Sequence, residues 1–543
     1  MRRIPALIHT TLQKWESELF ESNARVYTML CVVGVLLYAK TFLFGYTYLD
    51  DHVLVLNNIP FLGDLGNIFK AFTQDVFFMT NGTTAYYRPL LTISFMPEAM
   101  LGKALPFFYH FTNVGIHLTA VCLLYLVFTK LKYSKRISLL LALIFLVHPA
   151  LTQAVAWIPG RNDSLLAIFV LASFKYLLDF IEEGKREYIA WSVVFFSLAL
   201  FTKETAIALP VLFVLYLWIR DRLSKTAMLE FGAGWLIAIL VWLPLRIMAT
   251  SSNPQALSIH DMFASFLTNV PGTLQLLGKA FFPFNLSVLP ILQDTTFLWG
   301  YAAVALITAI LLLHLLGKQT SRRSSLMMLF GFVWFLLFLW PSLIGSDSSG
   351  ATDFIEHRLY LPLIGLLIIL AESSFVRSLN EPAGEWFLQP WLVVLLIFFG
   401  MTFVHENVFA DKLVFWQNAA FNSPHSSLAQ KNLGAMYYLD QNYPLAETYS
   451  KKALAVNPQE LMVHNNLGLI YAGEGRTKEA EQEYLQELSF NPQYDSAHFN
   501  LGLLYYGAGD YAAARKQWEM TLQINPNYTD AIWALLTLQA QRK

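Results

Sequence analysis

Apolar stretches of about 20 residues, the length that crosses the hydrocarbon core of a bilayer, recur from Val26 to His405. Backbone that enters lipid must satisfy its own polar groups, so such a chain crosses as helices. The stretches begin near Val26, His110, Ile137, Ser164, Tyr188, Thr205, Glu230, Phe297, Ser325, Leu359 and Trp386, which predicts about eleven spans. Charged residues agree: they make up 14% of the 543 positions, against about 25% in soluble domains. The net charge of −1 implies no nucleic-acid surface. Cys31 and Cys122 lie in apolar stretches far apart in sequence and read as small core residues, with no message about redox compartment or metal. Arg2, Arg3, Lys14 and Arg25 precede an apolar run that lacks a small-residue cleavage site, so residues 1–25 read as a cytoplasmic segment leading into an uncleaved anchor.

Basic residues give the orientation. Lys130, Lys132, Lys135 and Arg136 form one cluster; Lys185-Arg186, Arg220 with Arg222 and Lys225, and Lys318 with Arg322-Arg323 form three more. All fall on the side of the N-terminus if the stretch Met262 to Phe284, broken by Pro271 and Pro283, begins and ends outside. That stretch then reads as an interfacial helix or a re-entrant hairpin. An odd number of crossings puts the C-terminal part outside the cytoplasm.

From Ser426 onward the pattern turns polar and helical. Asn-Pro pairs begin at Asn457, Asn491 and Asn525, and Asn-Leu-Gly triplets at Asn432, Asn466 and Asn500. Both series have a 34-residue period, the tetratricopeptide signature. Tyr437, Tyr471 and Tyr505 and then Ala446, Ala480 and Ala514 recur at the same spacing. Gly and Ala let the paired helices approach, and Pro ends the second helix of each unit. Stacked helix pairs leave a concave groove suited to a peptide; the plain alternative is a structural cap or oligomerisation surface. Ala531 to Ala540 reads as a capping helix.

The polar residues of the membrane part converge on one end. Asp50, Asp51 and Arg88 lie in the first external loop, and Arg161 and Asp163 in the next. Lys203-Glu204 marks an outer turn, and Glu356-His357-Arg358 precedes Leu359-Tyr360 at the start of a later span. Cations beside carboxylates in four loops suit a phosphate-bearing ligand held next to a base. Plainer readings exist: Lys203-Glu204 as an ion pair closing its turn, Arg161 with Asp163 as a structural pair, and Arg88 as a head-group anchor. His110, Asn113 and His117 share a helical face and read as interhelical hydrogen bonding rather than metal ligation. Asp50 and Asp51 resist a structural reading, since adjacent like charges repel.

With these residues in view, the chain resembles the transmembrane and tetratricopeptide-repeat-containing O-mannosyltransferases and their bacterial relatives, within the GT-C glycosyltransferase superfamily. The resemblance rests on Tyr48-Leu-Asp-Asp-His52, Tyr87-Arg-Pro-Leu90, Tyr109-His-Phe-Thr-Asn113 with His117, and His148-Pro149 with Gln153-Ala-Val155. It continues through Gly160-Arg-Asn-Asp163, Lys203-Glu204 and Arg358-Leu-Tyr-Leu-Pro362, ahead of the repeats. It implies a sugar carried on a polyprenyl phosphate, used on the extracytoplasmic side in inverting transfer to Ser or Thr hydroxyls. The array is short beside that of the animal members.

The expected architecture is therefore all-α. A GT-C-like membrane bundle at 26–405 is followed by a linker at 406–425 and a repeat α-solenoid at 426–543, with three repeats and a cap. The site assignment makes Asp50 or Asp51 the base; adjacent residues of an extended loop point apart, so only one of them takes the proton, and Asp50 is favoured. Arg88, Arg161, Lys203 and Arg358 hold the donor phosphate; Glu204, Glu356, His357 and Tyr360 support them. No compact ligand cluster indicates a metal, although divalent-metal use stays open. Expected partners are the polyprenyl-phosphate sugar, an acceptor protein held by the repeats, and the bilayer of a bacterial inner membrane. Two rivals are a non-enzymatic envelope scaffold and transfer to a glycan or lipid.

Overall fold

The computed structural model describes residues 14, 17–78, 86–222, 224–250, 258–317, 321–344, 354–377, 379 and 385–540. Arg2, Arg3, Lys318 and the triplet Asn81-Gly-Thr83 lie outside them. Regular structure in the described residues is helical, with no extended strand. Contacts divide the chain into two units: Met1–Val288 with Thr295–Asp411, and Leu289–Asp294 with Lys412–Lys543.

In the first unit, each of the expected spans coincides with a helix, but the lengths are unequal. Among the described residues, 7 are long and apolar enough to cross a membrane: Asn23–Leu43, Pro106–Lys130, Ile158–Glu183, Lys225–Thr250, Leu298–Leu316, Arg322–Leu343 and Pro390–Phe409. Lys135–Leu146 and Pro149–Ala156 together make a further span bent by 55°. Pro149 has no N–H to continue the first helix, and His148 covers the break. Its Nδ1 accepts from Ala150 N at 3.2 Å, and its Nε2 lies 3.0 Å from Ala280 O. Glu187–Thr202, Glu204–Ile219 and Tyr360–Glu372 are apolar but shorter.

Small residues set the closest packing. Arg322–Leu339 and Tyr360–Glu372 meet at Gly331 and Gly365. A Cβ on Gly331 would stand 2.5 Å from Gly365 O, and one on Gly365 would stand 2.3 Å from Gly331 O. The two backbones therefore touch, as lipid-embedded helices do where small residues face one another.

The turns sort to two ends. At one end Lys130 pairs with Asp179 and Glu182, Arg186 with Glu230, Tyr133 Oη donates to Glu372 Oε1 at 2.9 Å, and Arg323 reaches Leu131 O. At the other end lie the loops that hold the candidate site. The stretch Met262 to Phe284 forms two helices, Ile259–Asn269 and Pro271–Phe281, jointed at the proline.

In the second unit, helices pair as Ser427–Leu439 with Tyr443–Val456, Val463–Gly473 with Thr477–Phe490, and Asp495–Gly507 with Tyr511–Ile524. Thr529–Ala540 follows as a single helix. Ser426, Asn442 and Asp510 cap helix starts with their side-chain oxygens. A Cβ on Gly434, Gly468 or Gly502 would collide with Ser450, Tyr484 or Trp518 of the partner helix, so the recurring glycine is a packing requirement. Residues 406–425, read from sequence as a linker, hold a 3-10 turn at Glu406–Phe409 and a helix at Lys412–Asn422.

Candidate active site

Asp163 lies in the first turn of Arg161–Glu183, and Lys203 in the turn between Glu187–Thr202 and Glu204–Ile219. Lys203 Nζ donates to both oxygens of Asp163, at 2.8 and 3.0 Å, and both side chains are buried. His357 Nε2 stands 3.7 Å from Asp163 Oδ2 and packs on Trp157. Arg88 joins from the first loop. Its Nη2 lies 3.4 Å from Glu204 Oε1, and its guanidinium stacks over Tyr86. Turning the Asn162 amide over places its oxygen 3.2 Å from Arg88 Nη1 and its nitrogen 3.0 Å from Thr202 O. Lys203 and Glu204 thus take different partners rather than closing their own turn. Arg161 and Asp163 likewise do not pair with each other.

Burial shapes the protonation. It drives the Lys203 ammonium below its ordinary range, against the pull of Asp163. It also lowers the His357 imidazole to about 3 despite Asp163, so His357 is neutral at physiological pH. Burial is the largest influence and opposes the Arg88 charge, but Glu204, Tyr86 and Asp163 together outweigh it and the guanidinium stays ionised. The cluster opens at its rim: Arg88 and Glu204 side chains keep 17% and 34% of their surface exposed.

Arg161 is elsewhere, and closed. Nε donates to Asn113 Oδ1 at 2.6 Å, Nη1 to Ser94 O at 2.9 Å and Glu98 Oε1 at 2.6 Å, and Nη2 to Tyr109 O at 2.9 Å. The side chain is fully buried, and every guanidinium nitrogen is engaged. Asn113 also donates to the carbonyls of Val155, Trp157 and Ile158. This knot fastens the first loop to two spans and engages four of the five guanidinium N–H groups of a side chain with no exposed surface.

A second buried network underlies the turn Glu356–Leu359. Glu356 Oε1 accepts from Lys279 Nζ and from Ser287 N, each at 2.7 Å, and Glu356 Oε2 lies 3.3 Å from His405 Nε2. Burial works against the Glu356 charge, but Lys279 and His405 hold its carboxyl below the ordinary range. Gln153 Oε1 accepts from His357 N at 3.4 Å. Arg358 Nη1 donates to Ser342 O at 3.1 Å. Tyr360 Oη meets His117 Nδ1 at 2.6 Å, deeper in the bundle.

The two adjacent aspartates differ in burial. Asp51 is buried, and its Oδ2 accepts from Thr47 N at 2.7 Å and Thr47 Oγ1 at 3.1 Å. Burial raises its carboxyl to about 6, against those hydrogen bonds. Tyr48 between them has φ +61°, a left-handed backbone that a bulky residue rarely takes; the Thr47–Asp51 bonds hold that turn. Asp50 is half-buried beside it. Among the described residues no three His, Cys, Asp or Glu side chains converge as metal ligands.

Lys279 and His405 escape the sequence reading. A lone lysine in the apolar stretch Met262 to Phe284 is itself a signal, because an ammonium at such depth needs a buried partner. Glu98, which receives Arg161, had no such mark.

Helices of membrane-crossing length around a charged cluster, with helical repeats behind them, define a polytopic membrane protein bearing a tetratricopeptide array. Residues 110–247 match the family described as dolichyl-phosphate-mannose-protein mannosyltransferase, and residues 435–495 and 496–528 match tetratricopeptide repeats. The chain is 31% identical over 178 residues to protein O-mannosyl-transferase Tmtc1 of Drosophila melanogaster, covering 32% of this chain and 20% of that one. It is 30% identical over 165 residues to protein O-mannosyl-transferase TMTC3 of Mus musculus, covering 29% and 17%. Against protein O-mannosyl-transferase F38B6.6 of Caenorhabditis elegans it is 23% identical over 403 residues, covering 71% and 56%. It therefore spans less than two-thirds of the length of these relatives. The chain is thus similar in part to these protein O-mannosyl-transferases, and it joins a segment matching the mannosyltransferase family to segments matching tetratricopeptide repeats.

Proposed function

We propose that this chain is a GT-C-type membrane glycosyltransferase. It transfers a sugar, mannose or similar, from a polyprenyl-phosphate donor to Ser or Thr hydroxyls of extracytoplasmic proteins, from a bacterial inner membrane. The observation that carries this reading is the partly open cluster of Arg88 and Lys203 beside Asp163, His357 and Glu204. Fixed positive charge in a water-poor site is worth most where negative charge develops. Arg88 and Lys203, with Arg358 from the neighbouring turn, hold the donor phosphate; Arg161, enclosed as it is, supports from a distance.

The acceptor oxygen attacks the anomeric carbon from the face opposite the phosphate. The bond from that carbon to the phosphate oxygen breaks, its electron pair stays with the phosphate, and the configuration inverts. The hydroxyl proton passes to Asp50, the more accessible of the pair, while Asp51 holds the turn through Thr47. Residues 26–405 form the catalytic domain, and the repeats of 426–543 bring the acceptor polypeptide to it, raising its local concentration.

The test uses purified full-length protein, polyprenyl-phosphate mannose and Ser/Thr peptides. Asp50→Asn is expected to abolish transfer and Asp51→Asn to reduce it. Normal transfer by both variants would remove the base assignment. Donor binding without transfer to peptide, together with transfer to a glycan or lipid, would move the acceptor; no donor binding at all would leave a scaffold.

A further inference from the structure

Two of the helices that present the cluster, Glu187–Thr202 and Tyr360–Glu372, are shorter than an ordinary bilayer crossing, and on the third, Ile158–Glu183, Asp163 sits five residues inside the helix end. Asp163 and Asp179 lie on one helix, sixteen residues apart. At about 1.5 Å per residue that is about 24 Å. Asp179 belongs to the charged belt of the opposite end, paired with Lys130 and Lys175. A second ruler agrees. Tyr360–Glu372 has 13 residues, about 20 Å, and runs from that same belt, where Glu372 pairs with Arg377, to the turn carrying His357. A third is Glu187–Thr202, whose 16 residues end at Lys203. The hydrocarbon core is about 30 Å thick. Measured from the charged belt, the cluster therefore stops roughly 6–10 Å short of the opposite head-group plane. Neighbouring Pro106–Lys130 and Lys225–Thr250, with 25 and 26 residues, are long enough to cross in full, as is Ile158–Glu183 with 26, so the shortfall is local to the two shorter helices and to the depth of Asp163.

The short hairpin lies at the edge of the bundle. Trp191 and Val194 on its first helix, and Ile207, Val211 and Trp218 on its second, are 45–53% exposed. Its tip carries Glu204, with 34% of its side chain exposed, against Arg88 at 17%. Ionised groups in that position cannot face acyl chains without a large penalty. Where a hydrophobic segment is short, the bilayer thins to meet it.

We propose that the leaflet on the site's side is thinned along the face of Glu187–Thr202 and Glu204–Ile219, so that lipid phosphates there lie level with Arg88 and Lys203. A lipid-borne phosphate then reaches the cluster sideways along this face, without leaving its leaflet. The thinning needs only that the bundle spans a membrane; the use of the phosphate rests on the function proposed above.

The test compares depth at two matched lipid-facing positions. Ile207 and Ile237 each lie twelve residues from their helix ends at the charged belt, Ile219 and Lys225, and are 49% and 62% exposed. Nitroxide labels at Ile207→Cys and Ile237→Cys, with Cys31 and Cys122 replaced by serine, are placed in the full chain in dioleoyl phosphatidylcholine bilayers. Accessibility to a water-soluble nickel chelate relative to oxygen is read by electron paramagnetic resonance. The Ile207 label is expected to be several-fold more accessible to the chelate, and the difference to narrow in thinner dimyristoyl bilayers. Equal accessibility in dioleoyl lipid overturns the proposal, as does a difference unchanged in dimyristoyl lipid. Neither result touches the sugar-transfer assay, so the two readings fail separately.

Discussion

Lys203 Nζ bonds both oxygens of Asp163 across 40 residues of sequence, at 2.8 and 3.0 Å, in a site where both side chains are almost fully buried. Removing one partner leaves the other charge uncompensated. Lys203→Met is expected to destabilise the bundle by about 3–5 kcal/mol. Lys203→Met combined with Asp163→Asn removes both charges and should recover most of that loss. Thermal melting of the single and double variants in one detergent checks this, and equal losses in both would show the pair to be uncoupled.

Arg161 should behave as a fastener. Arg161→Lys cannot reproduce contacts to Asn113, Glu98, Ser94 O and Tyr109 O, because an ammonium lacks the planar fork. We expect a lower melting temperature and, for the folded fraction, an unchanged KM for the donor. A large rise in KM at unchanged stability would return Arg161 to the phosphate.

Asp51 gives the pH dependence its sign. Its carboxyl titrates near 6 in the fold and near the ordinary aspartate value of about 3.9 unfolded. The folded state therefore holds the extra proton between these values, and stability contributed at low pH is lost as pH rises from about 4 through about 6. Asp51→Asn, whose side-chain oxygen still accepts from Thr47, should flatten that slope. Denaturant titrations of both proteins across this window measure it.

How legible this was follows from where each partner lies. The repeats were readable because period, glycine and proline are local marks. The spans were readable because lipid demands long apolar runs. Arg88, Lys203 and His357 were readable as polar residues at span ends, since charge near lipid is retained for a reason. Arg161 looks the same in sequence, and only its partners far upstream, Glu98, Asn113 and the carbonyls of Ser94 and Tyr109, decide that it is a fastener. Lys279 is legible only as a lone charge in an apolar stretch, because its partner Glu356 lies 77 residues downstream.

Glu356 and Lys279 form the next test. Lys279→Met should unfold or inactivate the protein through the stranded Glu356 carboxylate, and Glu356→Gln added to it should restore folding. If activity does not return with folding, the ionised pair sets the placement of His357 and Arg358 beyond its contribution to stability. Circular dichroism and the transfer assay, run on the same samples, separate these outcomes.

Shortening the chain after His425 should raise the acceptor KM while leaving donor binding intact, as checked by titrating peptide and polyprenyl-phosphate mannose separately. Equal peptide KM with and without the repeats would assign them another partner.

The Glu356 knot also dates the moment at which the pocket matures. It gathers Lys279, Ser287 and His405, and the last of these stands on the span Pro390–Phe409. A nascent chain that has not reached His405 holds every other residue of the knot and leaves Glu356 Oε2 without that partner. The knot therefore closes only after the helix carrying His405 is in place, later in the chain than every residue of the Arg88–Lys203 cluster.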